Sequence, residues 1–307
     1  MIEKNNHYKE YKMDITLQQS NLISRSSLLT AQQKRQYQTE GFLVIPNFFE
    51  KNIGELLISR ANALIDAYDA SQHSIFSTKQ ADKSQLKNQY FLESAGKISF
   101  FFEEAALDEN GHLMYPKEKA INKIGHALHD LDPIFSLFSR NHKIAMLIKE
   151  LDIYDPLLIQ SMYICKQAHI GGEVGCHQDA TYLYTENLSM LGLWFALENA
   201  TLENGCLWAI PGSHKTPLKA RLRRVSKYEL HHEIYDSSPW DFDKLIPLEV
   251  TRGSVILIHG LLAHMSKENV SSDSRHAYTL HIASRQDPYP ADNWLQRNKE
   301  TPFSGFM

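Results

Sequence analysis

Two textures of apolar and polar positions divide this chain. In the first part, apolar residues recur mainly at helical spacing. Thr30-Ala31-Gln32-Gln33 has the form of a capping box and predicts a short helix up to Glu40. Gly41 stops it, and Phe42-Leu43-Val44-Ile45 predicts a short strand ended by Pro46. Ile53, Leu56, Leu57, Ala61, Leu64 and Ile65 then predict a helix between Glu50 and Tyr68. Residues 71–118 are turn-rich, with Asp108-Glu109-Asn110-Gly111 as a turn at a hairpin tip. Helical pattern returns over about 118–130 and 141–151, either side of Asp132-Pro133.

From residue 157 the period shortens. β-prone runs over 157–166, 190–197, 206–210, 254–259 and 277–283 follow one another. Gly171-Gly172, Glu203-Asn204-Gly205, Pro211-Gly212 and Arg252-Gly253 separate them. Strands without intervening helices predict an antiparallel double-sheet barrel rather than βαβ units. The expected fold is mainly β with α: a jelly roll (double-stranded β-helix) at about 157–285, braced by N-terminal helices. Residues 1–29 read as a polar, flexible lead-in, and 30–307 as one domain. The polar stretch that follows 206–210 reads as non-β, with Arg221, Arg223, Arg224, Lys227, His231 and His232 as surface groups.

A formal charge of −4 argues against nucleic acid as the main partner. No apolar run reaches membrane-spanning length, and Met1-Ile2-Glu3-Lys4-Asn5-Asn6 lacks the apolar centre of a signal peptide. Cys165, Cys176 and Cys206 form no Cys-x-x-Cys and suit a reducing compartment, so a cytoplasmic setting is the expectation; a monomer is taken as the plain default, since no feature of the sequence sets the oligomeric state.

The chemistry starts at His177-Gln178-Asp179. Residues two apart on extended backbone face one way, so the imidazole and the carboxylate can share a metal. Cys176 would point to the opposite face. With 15 His and 16 Asp, about one His-x-Asp arises by chance, so a second histidine is needed. Val255-Ile256-Leu257-Ile258-His259-Gly260-Leu261-Leu262-Ala263-His264 offers two, His259 and His264. Two histidines and one carboxylate on one face of an octahedron suit non-haem Fe(II). A reductant that chelates such iron, 2-oxoglutarate, needs a cation for its far carboxylate, and Arg275 opens a β-run eleven residues after His264.

These residues resemble the phytanoyl-CoA dioxygenase family. The resemblance runs through Ile121-Asn122-Lys123-Ile124-Gly125-His126, Gln160-Ser161-Met162-Tyr163, Gly171-Gly172-Glu173-Val174 and His177-Gln178-Asp179-Ala180. It continues in Leu202-Glu203-Asn204-Gly205-Cys206-Leu207-Trp208, Ile210-Pro211-Gly212-Ser213-His214, Leu257-Ile258-His259-Gly260 and Ser274-Arg275-His276-Ala277-Tyr278-Thr279. It spans roughly residue 30 to the C-terminus. It implies His177, Asp179 and His264 as iron ligands, with His259 left as a barrel residue. Arg275 would bind the far carboxylate of 2-oxoglutarate, helped by Ser266, and Lys123 would reach the co-substrate from the helical half. Met162 and Trp194 would wall the pocket, with Gln178 against it. Pro211-Gly212-Ser213-His214 would turn over the site mouth. The implied reaction is O2-dependent hydroxylation of a small or lipid-like substrate, an acyl-CoA among the candidates, releasing succinate and CO2. A non-catalytic sensor of iron and 2-oxoglutarate, or a metal-dependent jelly-roll enzyme without 2-oxoglutarate, are the alternatives.

Overall fold

The computed structural model describes residues 27–69, the backbone of 75–76, and residues 89–306. Residues 1–26 of the lead-in lie outside that range. The last three are anchored: Ser27 Oγ and the Leu28 and Leu29 amides donate to the Glu150 carboxylate, and Leu29 is buried.

Helices α1 (Ala31–Glu40) and α2 (Lys51–Ala67) flank strand β1 (Phe42–Ile45). The capping box forms: Thr30 Oγ1 accepts from the Gln33 amide while the Gln33 side chain accepts from the Thr30 amide. Gly41 closes α1 in the left-handed region, at φ 81°. Next come β2 (Ile75–Phe76), α3 (Gln89–Glu93), β3 (Ile98–Glu103), α4 (Lys117–Ala120) and β4 (Ile121–His126). α5 (Leu128–Leu131), α6 (Pro133–Ser139) and α7 (His142–Lys149) complete the helical part. Then follow β5 (Pro156–Ile164), β6 (Val174–His177), β7 (Leu191–Ala196) and β8 (Leu207–Ala209). The rest are β9 (Ala220–Ser226), β10 (Glu229–Ile234), β11 (Ile246–Leu248), β12 (Val255–His259), β13 (His264–Ser266), β14 (Ala277–Ser284) and β15 (Ser304–Gly305).

The jelly roll is assembled from β5 to β8 and β11 to β14, which share themselves between two sheets. β12, β7, β14 and β5 lie side by side in the large sheet, and β11-β8-β13-β6 form the small one. β1 extends the large sheet at one edge and β4, β3 and β2 at the other, while β15 also pairs with β5.

Alternation along the large sheet supplies two different cores. Leu191, Leu193 and Phe195 of β7, Val255 and Leu257 of β12, and Tyr278, Leu280 and Ile282 of β14 join one cluster with Leu57, Ile65, Phe135, Phe138 and Leu147 of the helices. Trp194 and Ala196, Ile256 and Ile258, and Ala277 point the other way, to Leu207 and Ala209 of the small sheet. Both faces are covered, so these strands read as unbroken apolar runs. Burying each large side chain contributes about 1.5–3 kcal/mol.

Two expectations are corrected. The helix read over 118–130 is instead α4, β4 and α5. All six residues of β4 are buried, so no period-2 signal reaches the sequence, and Ile121, Ile124 and Leu128 mimic helical spacing. The stretch from Arg221 to His232 is also not a loop: β9 and β10 form an antiparallel hairpin with Arg223 opposite His231. Its charged residues mask the alternation of buried Ala220 and Leu222.

Candidate active site

β6 ends at His177, and the chain turns at once into a single 3-10 turn at Asp179–Thr181. The Ala180 amide donates to the Gly260 carbonyl at 2.8 Å, tying that turn to the far end of β12. His264 opens β13 directly opposite His177 across the small sheet. The two imidazoles are thus cross-strand neighbours, with ring centroids 4.4 Å apart.

Ligand atoms of His177, Asp179 and His264 all lie within 4.8 Å of one another. Asp179 Oδ1 is 3.5 Å from His177 Nε2 and 3.7 Å from His264 Nε2. His177 Nδ1 lies 2.8 Å from the Gly175 carbonyl, and His264 Nδ1 lies 3.0 Å from the Leu262 carbonyl. A carbonyl can only accept, so each Nδ1 carries the hydrogen and each Nε2 turns a lone pair to the common centre. Burial opposes the Asp179 charge, but the surrounding histidines outweigh it and hold the carboxyl well below its usual range. Burial pushes His264 down to about 4, the neutral form a metal ligand needs. At His177 burial also pulls down, yet contact with Asp179 wins and the net shift is upward.

Sequence reading missed two residues behind Asp179. His281 of β14 places Nε2 3.3 Å from Asp179 Oδ2, whereas Oδ1 is the oxygen near His177 and His264. Gly192 of β7 makes room for Oδ2, since a Cβ there would lie 3.1 Å from it. Within Ala277–Ser284, His281 looks like one more strand residue; only its parity with Ala277, which faces the barrel interior, marks it out.

A second group of polar atoms faces the same interior. Arg275 is only 1% exposed, and its Nε and Nη1 have no hydrogen-bond partner among the described residues. Its guanidinium carbon stands 5.2 Å from the centroid of the Trp194 ring, whose buried Nε1 likewise has none among them. Burial pushes Arg275 down to about 10. Buried donors with no acceptor are costly and call for one, and these three fit a carboxylate ligand. Register places Met162, Thr279 and Trp194 side by side on the inner face, with Gly125 of β4 beyond Met162.

Lys123 stands one pleat from Gly125, opposite Ile164. It therefore enters from a strand of the large sheet, not from the helical half as expected. Its Nζ is 5.2 Å from the Phe101 ring centroid, and burial pushes its pKa down to about 7. Gln178 is also corrected. Its amide donates to the Pro217 and Leu261 carbonyls and accepts from the Lys219 amide, so it fastens the loop before β9 instead of lining the pocket. Ser266 Oγ accepts from Lys166 Nζ at 3.0 Å, a lysine that sequence reading passed over.

His259 stands apart, its Nδ1 accepting from the Leu261 amide and its ring against Tyr37 and His214. His214 packs over Gly41 and the end of α1. Cys176 is buried in a separate apolar cluster with Ile210 and Ala263, under Trp240 and Leu245. Three arginines of the hairpin have partners within the protein, while Lys227 is exposed. Arg221 and Arg223 both pair with Asp292, and Arg224 donates to the Leu92 and Trp294 carbonyls.

Comparison with known proteins agrees with this geometry. The family model for phytanoyl-CoA dioxygenase (PhyH) matches residues 37–277. The chain is 46% identical over 270 residues to phytanoyl-CoA dioxygenase 1 of Oryza sativa subsp. japonica, covering 88% of this chain and 94% of that protein. It is 43% identical over 283 residues to phytanoyl-CoA dioxygenase domain-containing protein 1 of Rattus norvegicus, covering 90% and 97%. Among solved structures, EctD from S. alaskensis, determined with 2-oxoglutarate and 5-hydroxyectoine, is similar at TM-score 0.59 and 17% identity, over 91% of this chain and 83% of that one. The carbocyclase SnoK from nogalamycin biosynthesis is similar at TM-score 0.61 and 15% identity, over 91% and 97%. These structures share the fold. Matched by the family model over most of its length and by relatives above 40% identity, the chain belongs to the phytanoyl-CoA dioxygenase family of Fe(II)- and 2-oxoglutarate-dependent enzymes.

Proposed function

We propose that this 2-oxoglutarate-dependent dioxygenase hydroxylates a small or lipid-like organic substrate, with His177, Asp179 and His264 holding Fe(II). The observation that carries the reading is one interior. It joins three candidate ligand atoms within 4.8 Å to buried donors of Arg275 and Trp194 that have no acceptor among the described residues. Iron supplies the chemistry of O2 activation, coupled to conversion of 2-oxoglutarate into succinate and CO2.

The protein's own part is geometric. His177 and His264 keep their Nε2 lone pairs inward because Gly175 and Leu262 hold the opposite nitrogens. Asp179 offers Oδ1 to the metal while His281 and Gly192 confine Oδ2. Arg275 and Ser266 receive the far carboxylate of the co-substrate, and Trp194 and Met162 exclude water around it. Lys123 adds a second cation from β4. In this reading residues 30–307 act as one catalytic unit.

The hairpin arginines already have partners within the protein, Asp292 for Arg221 and Arg223 and the Leu92 and Trp294 carbonyls for Arg224, so they give a CoA thioester no specific support.

The test is succinate formation by Fe(II)-loaded protein with 2-oxoglutarate, across acyl-CoAs, free acids and small uncharged metabolites. One of the latter two classes is expected to stimulate turnover. Protein that neither binds nor turns over 2-oxoglutarate would contradict the assignment.

A further inference from the structure

Lys166 follows β5 and is 2% exposed, with no role in the assignment above. Three features show a side chain built into place. Its backbone is in the left-handed region at φ 38°, which a non-glycine residue seldom adopts. Gly205 lies against it: a Cβ there would come 2.6 Å from Lys166 Cε and 2.7 Å from the Lys267 carbonyl, and the φ of +81° also favours glycine. Its ammonium donates at 2.6 Å to the Gly172 carbonyl and at 3.0 Å to Ser266 Oγ.

The second hydrogen bond sets the polarity of Ser266. A hydroxyl has one hydrogen to give. Ser266 Oγ accepts from an ammonium, which can only donate, so the serine hydrogen is left for another acceptor. Lys166 is also coupled to Arg275: the Arg275 amide donates to the Lys166 carbonyl at 3.1 Å, and after burial, repulsion from Arg275 is the next largest influence holding the lysine's pKa down. The buried carboxylate nearby is Glu103, whose Oε2 accepts from the Gly172 amide and whose Oε1 has no partner among the described residues; Glu173 and Glu268 act on Lys166, and Glu198 on Arg275, from more exposed positions. Two buried cations against one buried carboxylate leave this end of the pocket wanting a negative charge.

Resting on the proposed co-substrate pocket, we infer that Lys166 is a specificity residue for the far carboxylate of the 2-oxo acid. It turns the Ser266 hydroxyl into a donor and adds positive charge beside Arg275. It is a positioning residue and takes no part in metal binding.

The test compares two ligands on Mn(II)-loaded protein: 2-oxoglutarate, and 2-oxopentanoate, which carries a methyl in place of the far carboxylate. In Lys166→Met the Kd for 2-oxoglutarate should rise about tenfold or more. The Kd for 2-oxopentanoate and the Mn(II) affinity should each change less than about twofold. Ser266→Ala should lose part of the same preference, and adding Lys166→Met to it should cost less than in the wild type. Lys166→Gln serves as a second variant, and within each variant the ratio of the two Kd values is read, so a general loss of folding cancels. Equal weakening of both ligands would make Lys166 a purely structural group and overturn the inference. An unchanged preference for 2-oxoglutarate would also overturn it, while leaving the co-substrate pocket standing. A wild type with no preference for 2-oxoglutarate would overturn pocket and inference together.

Discussion

The two faces of the large sheet are built from the same strands and serve opposite ends. On the outer face, Phe195 and Tyr278 pack among Phe138 and Phe135, with ring centroids 5.0 Å apart for Phe138–Phe195 and 4.9 Å for Phe135–Tyr278. One residue along, Trp194 stands beside Arg275 and Gly192 gives space to Asp179. Parity decides which residue stabilises and which does chemistry. Backbone shared between the two faces lets the aromatic layer hold the inner face still, as a metal site requires.

That contrast can be broken from either side. Phe195→Ala should cost about 3–5 kcal/mol in denaturant unfolding and leave the metal affinity of the folded fraction unchanged. A matching loss of metal affinity would mean the faces are not separable. Arg275→Ala should weaken 2-oxoglutarate binding about a hundredfold while stability shifts little by comparison, read by calorimetry on Mn(II)-loaded protein.

Smaller changes probe the support behind Asp179. His281→Ala should lower Co(II) affinity by about 10–100-fold in a competition titration, without a loss of secondary structure. Gly192→Ala should act on the same oxygen more weakly, because its Cβ would need Asp179 Oδ2 to give only a few tenths of an ångström. Unchanged metal affinity in both variants would leave Asp179 held by its own turn alone.

The smallest effect is a proton. Lys123 and Lys166 are both pushed down to about 7, by burial in each case. An anionic ligand raises the bound-state values, so co-substrate affinity is fully present below about pH 7 and declines as pH rises through the bound-state pKa. Calorimetry above neutral pH in two buffers should show fractional proton uptake on binding. Proton release would reverse the sign and contradict the account.

The same parity explains what could be read from the sequence. His177 and Asp179 were legible because both sit on one short backbone piece, and the jelly roll because short apolar runs were separated by glycine turns. The choice between His259 and His264 needed the resemblance. His281, Gly192 and Lys166 were hidden for physical reasons. Strands covered on both faces show no alternation, so an inner-face residue looks like its outer-face neighbour. Lys166 looks like any charge after a strand until the chain folds it under Ser266. Lys123 reads as helical for a related reason, since six consecutive buried positions in β4 carry no strand period.

The most direct test of the metal assignment is an anaerobic titration of the protein with Fe(II) and then 2-oxoglutarate, followed by visible absorption. The account predicts a charge-transfer band that requires both, persists in His259→Ala, and is lost in His264→Ala and Asp179→Asn. A band that survives in His264→Ala but disappears in His259→Ala would contradict it, as would Fe(II) binding with no spectral response to 2-oxoglutarate.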